Sequence, residues 1–310
     1  MNAGQHIPLV RRRLSTENTA GQRLPPHVYF IVSAVFHYLG PAFAVLLFAH
    51  VEPLGVAWLR IASAALIFAA WRKPWRHVLR QDAAARWNIV GLGVVLGCMN
   101  VCFYLAIDHL PLGTVGAIEF LGPIALALIG TRTWRNAAAL AVAVAGVWML
   151  THVRLAGAPM GFVYAFANCA LFMLYIVLGH RAAEDGGGAG IDRLASAMLV
   201  ALLVVMPFGL HDASVALASP GLLAAGIGIG VSSSVIPYVC DQLAMARLPR
   251  ATFALLLALL PATASAIGIV VLHQVPGAIE MAGIALVVVG VKLHRPMSTH
   301  DLRNREETKR

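Results

Sequence analysis

Charge is scarce in this chain: Asp, Glu, Lys and Arg make up 12% of its 310 residues, where a soluble domain carries roughly 25%. That deficit excludes a water-soluble globular domain. Signatures of catalysis are missing as well. There is no HExxH, no GxSxG and no DxxxD pair on a helix, so an intramembrane enzyme, the rival class, lacks its usual anchors. Ser33 and His37 come nearest to a nucleophile and base, and no orienting acid follows from the sequence. Without a GxxxxGK[ST] and with short connections between apolar runs, a nucleotide-driven pump is excluded. Charge rings or carbonyl filters that would mark a channel are not legible. Cysteine is sparse too. Cys98, Cys102, Cys169 and Cys240 all fall in apolar segments, and the spacing of the first two is neither a metal nor a redox signature. They read as small core hydrophobes, and neither cofactor nor metal is expected.

What the chain has is apolar length. Hydrophobic residues reach 59% and recur in runs of about 17 to 22 residues, each enough to cross roughly 30 Å of hydrocarbon as a helix. The expected spans are 28–49, 54–71, 87–107, 112–130, 136–152, 158–179, 194–210, 219–239, 250–272 and 277–293. Helices alone can satisfy every backbone N–H and C=O in segments of this kind. The expectation is an all-α integral membrane protein with ten transmembrane helices. Residues 1–26 read as a polar cytoplasmic tail without a cleavable signal, and 295–310 as a second one.

The net charge of +9 does not point to nucleic acid, because its distribution follows the membrane. With the N-terminus inside, 21 of the 23 Lys and Arg residues fall on cytoplasmic segments, as the positive-inside rule expects of a plasma-membrane protein. The exceptions are Arg154, in an outer loop, and Arg60, within the second span. The bilayer itself is thus an expected partner.

Self-comparison reveals a repeat. "RIASAAL" at 60–66 matches "RLASAML" at 193–199, and Leu110, Pro111, Thr114 and Pro123 fall on Leu248, Pro249, Thr252 and Pro261 at one offset. Five spans per half is an odd number, so residues 27–155 and 156–294 are expected as two inverted five-helix repeats. Such folds bind substrate near the midplane and alternate its access. Glu119 falls on Leu257, so the acid is not part of the shared scaffold.

Polar groups at membrane depth are costly, about 2.5–3.5 kcal/mol for a central acid or Arg. At 1.5 Å per residue, Glu119, Asn100 and Arg60 lie roughly 12, 10 and 9 Å from the outer face, and His37 roughly 15 Å from the inner face. These four could line one cavity. Glu119 reads as a proton or substrate-amine site, or as a structural ion pair with Arg60. Arg60 reads as a snorkelling anchor at a helix end or a holder of a substrate carboxylate. His37 could titrate near neutral pH or simply pack. In "SSSVIPYVCDQ", Ser234, Pro237, Tyr238 and Asp241 recur at spacings of three and four. Asp241 falls near the cytoplasmic interface. Asn168 and Tyr175 share one face of the sixth span and complete the candidates.

The strings "GCMNVCFYLAIDHLPLGTVGAIEFLGPIALALIG" (97–130) and "VIPYVCDQLAMARLPRATFALLLALLPATASAIG" (235–268), with "KPWR" at 73–76, resemble the threonine and homoserine exporter branch of the EamA-type drug/metabolite transporters. The resemblance covers roughly residues 28–294. It implies a ten-helix inner-membrane carrier that exports small amino acids or related metabolites, coupled to protons. Glu119 matches the acid of the branch's "EFxGP" string, Asn100 the Asn of its "GMN" string, and Asp241 stands where an acid is expected. Leu260, and His273 with Gln274, stand where two further acids are expected. Multidrug or nucleobase transport is the alternative within the fold, and monomer or homodimer stays open.

Overall fold

The computed structural model describes residues 24–78, 81–130, 133–154, 158–248, 253, 256 and 259–293. The tails 1–23 and 295–310, the start of the ninth span from Arg250, the repeat positions Pro249 and Thr252, and Leu257 lie outside the described residues.

Helices begin where proline or a side-chain cap allows. α1 (Pro26–Leu47), α2 (Pro53–Arg72) and α7 (Pro159–Ala183) each carry proline in the first turn, where its missing N–H would be unbonded anyway. After the short α3 (Trp75–Val78) comes α4 (Ala83–His109), whose N-cap Asp82 accepts from Ala85 N at 2.7 Å. α2 ends at Lys73, which adopts a left-handed φ of 50° directly before Pro74. α5 (Leu112–Gly130) and α6 (Trp134–Arg154) complete the first half. α8 (Gly187–Gly209) and the short α9 (Ser214–Leu217) follow α7. α10 (Pro220–Gly230) then runs through a π-helical turn, Val231–Val235, into α11 (Ile236–Met245). The described chain closes with α12 (Leu259–Leu272) and α13 (Ala278–Leu293).

Each expected span therefore holds a helix, and among the described residues there is no strand. Among the described residues, six helices are long and apolar enough to cross a membrane: α1, α2, α4, α7, α8 and the continuous α10–π–α11 segment. Two shorter apolar helices, Leu260–Leu272 and Ala278–Gly290, accompany them. Lipid leaves its mark on the surface, where Ile31, Phe43, Leu66, Trp71, Trp87 and Leu203 are among the large apolar side chains exposed. An exposed apolar coat of this extent belongs in hydrocarbon.

α4 packs against α7 and α8, α2 against α8, α1 against α11 and the π turn, α5 against α7 and α12, and α6 against α13. The interior is unusual for what it buries. Tyr38, Tyr104, Tyr175 and Tyr238 are the largest fully buried side chains, and a buried tyrosine hydroxyl needs a partner. Around them gather the interior's charges.

Candidate functional site

Glu119 on α5 is 1% exposed. Tyr38, from α1, donates its hydroxyl to Oε2 at 2.7 Å, and Asn168, from α7, donates Nδ2 to Oε1 at 3.0 Å. His37 Nε2 stands 3.8 Å from Oε2. Each carboxylate oxygen thus has a directed donor, and the imidazole supplies positive charge when protonated. The second acid, Asp241 on α11, accepts from Ser33 Oγ at 2.5 Å and from Tyr175 Oη at 2.8 Å. Ser33 sits one turn before His37 on α1, so one face of that helix meets both acids.

Beside Asp241 lies a cavity lined by Ser33, His37, Phe172, Tyr175 and Leu260, among others, of about 10 Å³. That is the limit for a single water. The site is closed around its polar groups.

Arg60 on α2 is 4% exposed. Its Nε donates to Ser234 Oγ at 2.8 Å, and Nη2 donates to the Ser233 carbonyl at 2.9 Å and to Tyr238 Oη at 3.2 Å. The Ser233 carbonyl is available for a reason written in the sequence. It is the acceptor that residue 237 would bond in a regular helix, and Pro237 has no N–H to give. The rings of Tyr104 and Tyr238 lie 5.6 and 5.9 Å from Arg60 Cζ. Burying a lone ion costs several kcal/mol even after relaxation, and cation–π contacts return about 1 kcal/mol each. Among the described residues no carboxylate forms a salt bridge with Arg60.

Close helix approach makes this possible. A Cβ at Gly40 of α1 would fall 2.0 Å from Ser233 Oγ and 2.8 Å from Ser233 Cα, so only glycine lets α1 lie against the π turn.

The structure brings together His37, Glu119, Asn168, Tyr175 and Asp241, and sets Arg60 with Tyr238 beside them. Four expectations change. Arg60 does not snorkel, because its guanidinium is held inside the bundle. It is not the ion partner of Glu119, whose nearest basic side chain is His37, 3.8 Å away. Asp241 is 5% exposed and lies inside the bundle, where the sequence put it near the interface. Ser33 does stand beside an acid, yet it donates straight to Asp241 without an intervening imidazole, which is not a nucleophile-and-base geometry. Asn100 takes a supporting role: its Nδ2 donates to Ala57 O at 2.9 Å, fastening α4 to α2 one turn before Arg60.

Sequence reasoning missed Tyr38, Tyr104 and Ser233, and saw Ser33 only as a nucleophile. The signals were available in Tyr38 adjoining His37 and in Tyr104 lying one turn beyond Asn100. Among the described residues, no group of three or more His, Cys, Asp or Glu gathers in a way that could hold a metal.

A multi-helix membrane bundle with acids, imidazole and guanidinium closed into its core defines the class: a multi-pass membrane transporter. The chain belongs to the EamA-like transporter family, whose model matches residues 159–294, and within it to the RhtA-like branch. The threonine/homoserine exporter RhtA of Escherichia coli K12 is 33% identical over 270 residues, covering 85% of this chain and 88% of its own. A Streptantibioticus cattleyicolor protein described as "Probable terminal-alkyne amino-acid exporter" is 30% identical over 263 residues, covering 78% and 83%. A solved crystal structure 20% identical in sequence aligns over 91% of this chain and 99% of its own with a TM-score of 0.58, which shows a shared fold.

Proposed function

We propose that the protein exports small α-amino acids of the threonine and homoserine kind across the inner membrane, by alternating access coupled to protons. In this reading ten spanning helices form two inverted five-helix repeats, 27–155 and 156–294, with both termini in the cytoplasm. The names of the relatives support the substrate class, and the 21 basic residues on one side support the orientation.

The observation that carries the reading is a pair of buried carboxylates, one from each half: Glu119 on α5, 3.8 Å from His37, and Asp241 on α11, which lines one small cavity with His37. Ionisable groups inside a membrane bundle mark substrate paths and proton relays. A carboxylate can hold a proton or a substrate ammonium, and holding one excludes the other. Export of the amine and entry of the proton are thereby linked. The closed cavity supports an occluded state, since an amino acid enters only when the helices around it separate.

Purified protein in proteoliposomes tests this directly. L-threonine or L-homoserine should move against its gradient when a pH gradient is imposed, and a nucleobase or an aromatic cation moving instead would replace the amino-acid reading. Topology has its own check. In a background lacking the four native cysteines, single cysteines at Asp108 and at Arg247 should react with an impermeant maleimide from opposite sides of the membrane. Labelling from one side sinks the inverted arrangement.

A further inference from the structure

The guanidinium of Arg60 is surrounded by donors that have nothing to donate to. The Tyr104 ring lies 5.6 Å from Arg60 Cζ, and neither its hydroxyl nor Ser233 Oγ makes a hydrogen bond of good geometry among the described residues. Both side chains are fully buried. Orphaned buried hydroxyls are rare and ask for an explanation. Here two of them flank a cation whose own hydrogen bonds go to neutral oxygens. What the cluster lacks is an acceptor carrying negative charge and several lone pairs.

We propose that Arg60, Tyr104 and Ser233, with Tyr238 as their inner wall, form the subsite that takes the carboxylate of the transported amino acid. The inference rests on the amino-acid reading above and gives it a second pole. A carboxylate offers two oxygens with about four lone-pair sites, enough for both hydroxyls and for Arg60 Nη1, which makes none of the guanidinium's hydrogen bonds among the described residues. Its place relative to the acids fits a zwitterion. The ring of Tyr238 packs on that of Tyr175 with centroids 5.7 Å apart, and Tyr175 donates to Asp241, so the anion-seeking cluster and the acid stand on either side of a two-tyrosine wall. The cluster also draws on both halves of the chain: α2 and α4 supply Arg60 and Tyr104, while the π turn and α11 supply Ser233 and Tyr238. A bound carboxylate would therefore tie the halves together, and its departure would free them.

A purely structural Arg60 predicts that the Tyr104 hydroxyl is dispensable to substrate affinity, because it makes no hydrogen bond of good geometry among the described residues. Tyr104→Phe is thus the discriminating variant, and Arg60→Lys, which keeps the charge but loses the fork, is its companion. Both are compared with wild type in proteoliposome counterflow of L-threonine, with L-threoninamide, which lacks the carboxylate, as competitor. Tyr104→Phe should raise KM about tenfold, the effect of one hydrogen bond to a charged group, with Vmax and melting temperature unchanged. Arg60→Lys should also raise KM, and threoninamide should fail to compete in wild type. Wild-type exchange with an unaltered KM in Tyr104→Phe, or with threoninamide competing as well as threonine, overturns the subsite alone. Absence of threonine exchange by wild type overturns the amino-acid reading and the subsite with it.

Discussion

Glu119→Gln is expected to lower proton-driven export by about 100-fold or more, because removing one member of a buried, hydrogen-bonded charge set costs on the order of 2–5 kcal/mol. Glutamine keeps the shape of the side chain and can still accept from Tyr38 or Asn168, whose bonds are 2.7 and 3.0 Å long. What it loses is the charge that would balance a protonated His37 or a substrate ammonium, and the site that would carry a proton. Folding should survive, so the variant should elute as a single species in detergent with wild-type helix content. The informative measurement separates modes: pH-driven net flux against threonine exchange at equal pH. If Glu119 is the proton carrier, exchange persists while driven flux fails. If it holds the ammonium, both fail. Wild-type driven flux in the folded variant would remove Glu119 from the mechanism.

Gly40→Leu is expected to destabilise the protein by about 3 kcal/mol or more, at the upper end of what overpacking costs. The reason is backbone. A side chain at this position meets Ser233 Cα at 2.8 Å as well as Ser233 Oγ at 2.0 Å, and turning a hydroxyl aside does not clear a Cα. α1 must move off the π turn, which pulls His37 and Tyr38 from the groups they face. A much lower melting temperature in detergent and little protein in the membrane are the readouts. Gly228→Ala is the control. Its Cβ would enter open space, and exchanging glycine for alanine within a helix is worth roughly 0.5–1 kcal/mol in the stabilising direction. Equal behaviour of the two variants would contradict the packing described.

Hydrophobic length made the helices legible, and the cost of burying charge singled out Glu119, Arg60 and His37. Counting along a helix gives depth, however, and depth depends on where the helix is taken to end. The eighth span was expected to stop at residue 239 and runs to Met245, which is why Asp241 was expected near the interface. Nor does depth say which way a side chain faces or which helix it meets. Arg60 and Glu119 were matched as opposite charges at similar depth, whereas α2 turns its arginine toward the π turn and α5 turns its acid toward α1 and α7. Tyr38 and Tyr104 escaped notice because tyrosine in a membrane chain usually marks the lipid interface. Their burial is a property of helix packing, which no single helix reveals. Repeat matching likewise could not foresee the π turn, because a one-residue expansion of backbone leaves no periodic trace.

That turn, Val231–Val235, has a further consequence. It adds one residue to the winding, and one residue is about 100° of azimuth in an α-helix. Everything on α11 takes its angular phase from that insertion. Tyr238 points to Arg60 and Asp241 to Ser33 and Tyr175 only with the extra residue wound in. Rewound as plain α-helix, the same sequence would swing both side chains a quarter-turn or more off their partners. A cation's contacts and an acid's contacts, on different neighbouring helices, are therefore clocked by one backbone irregularity and are set or lost together.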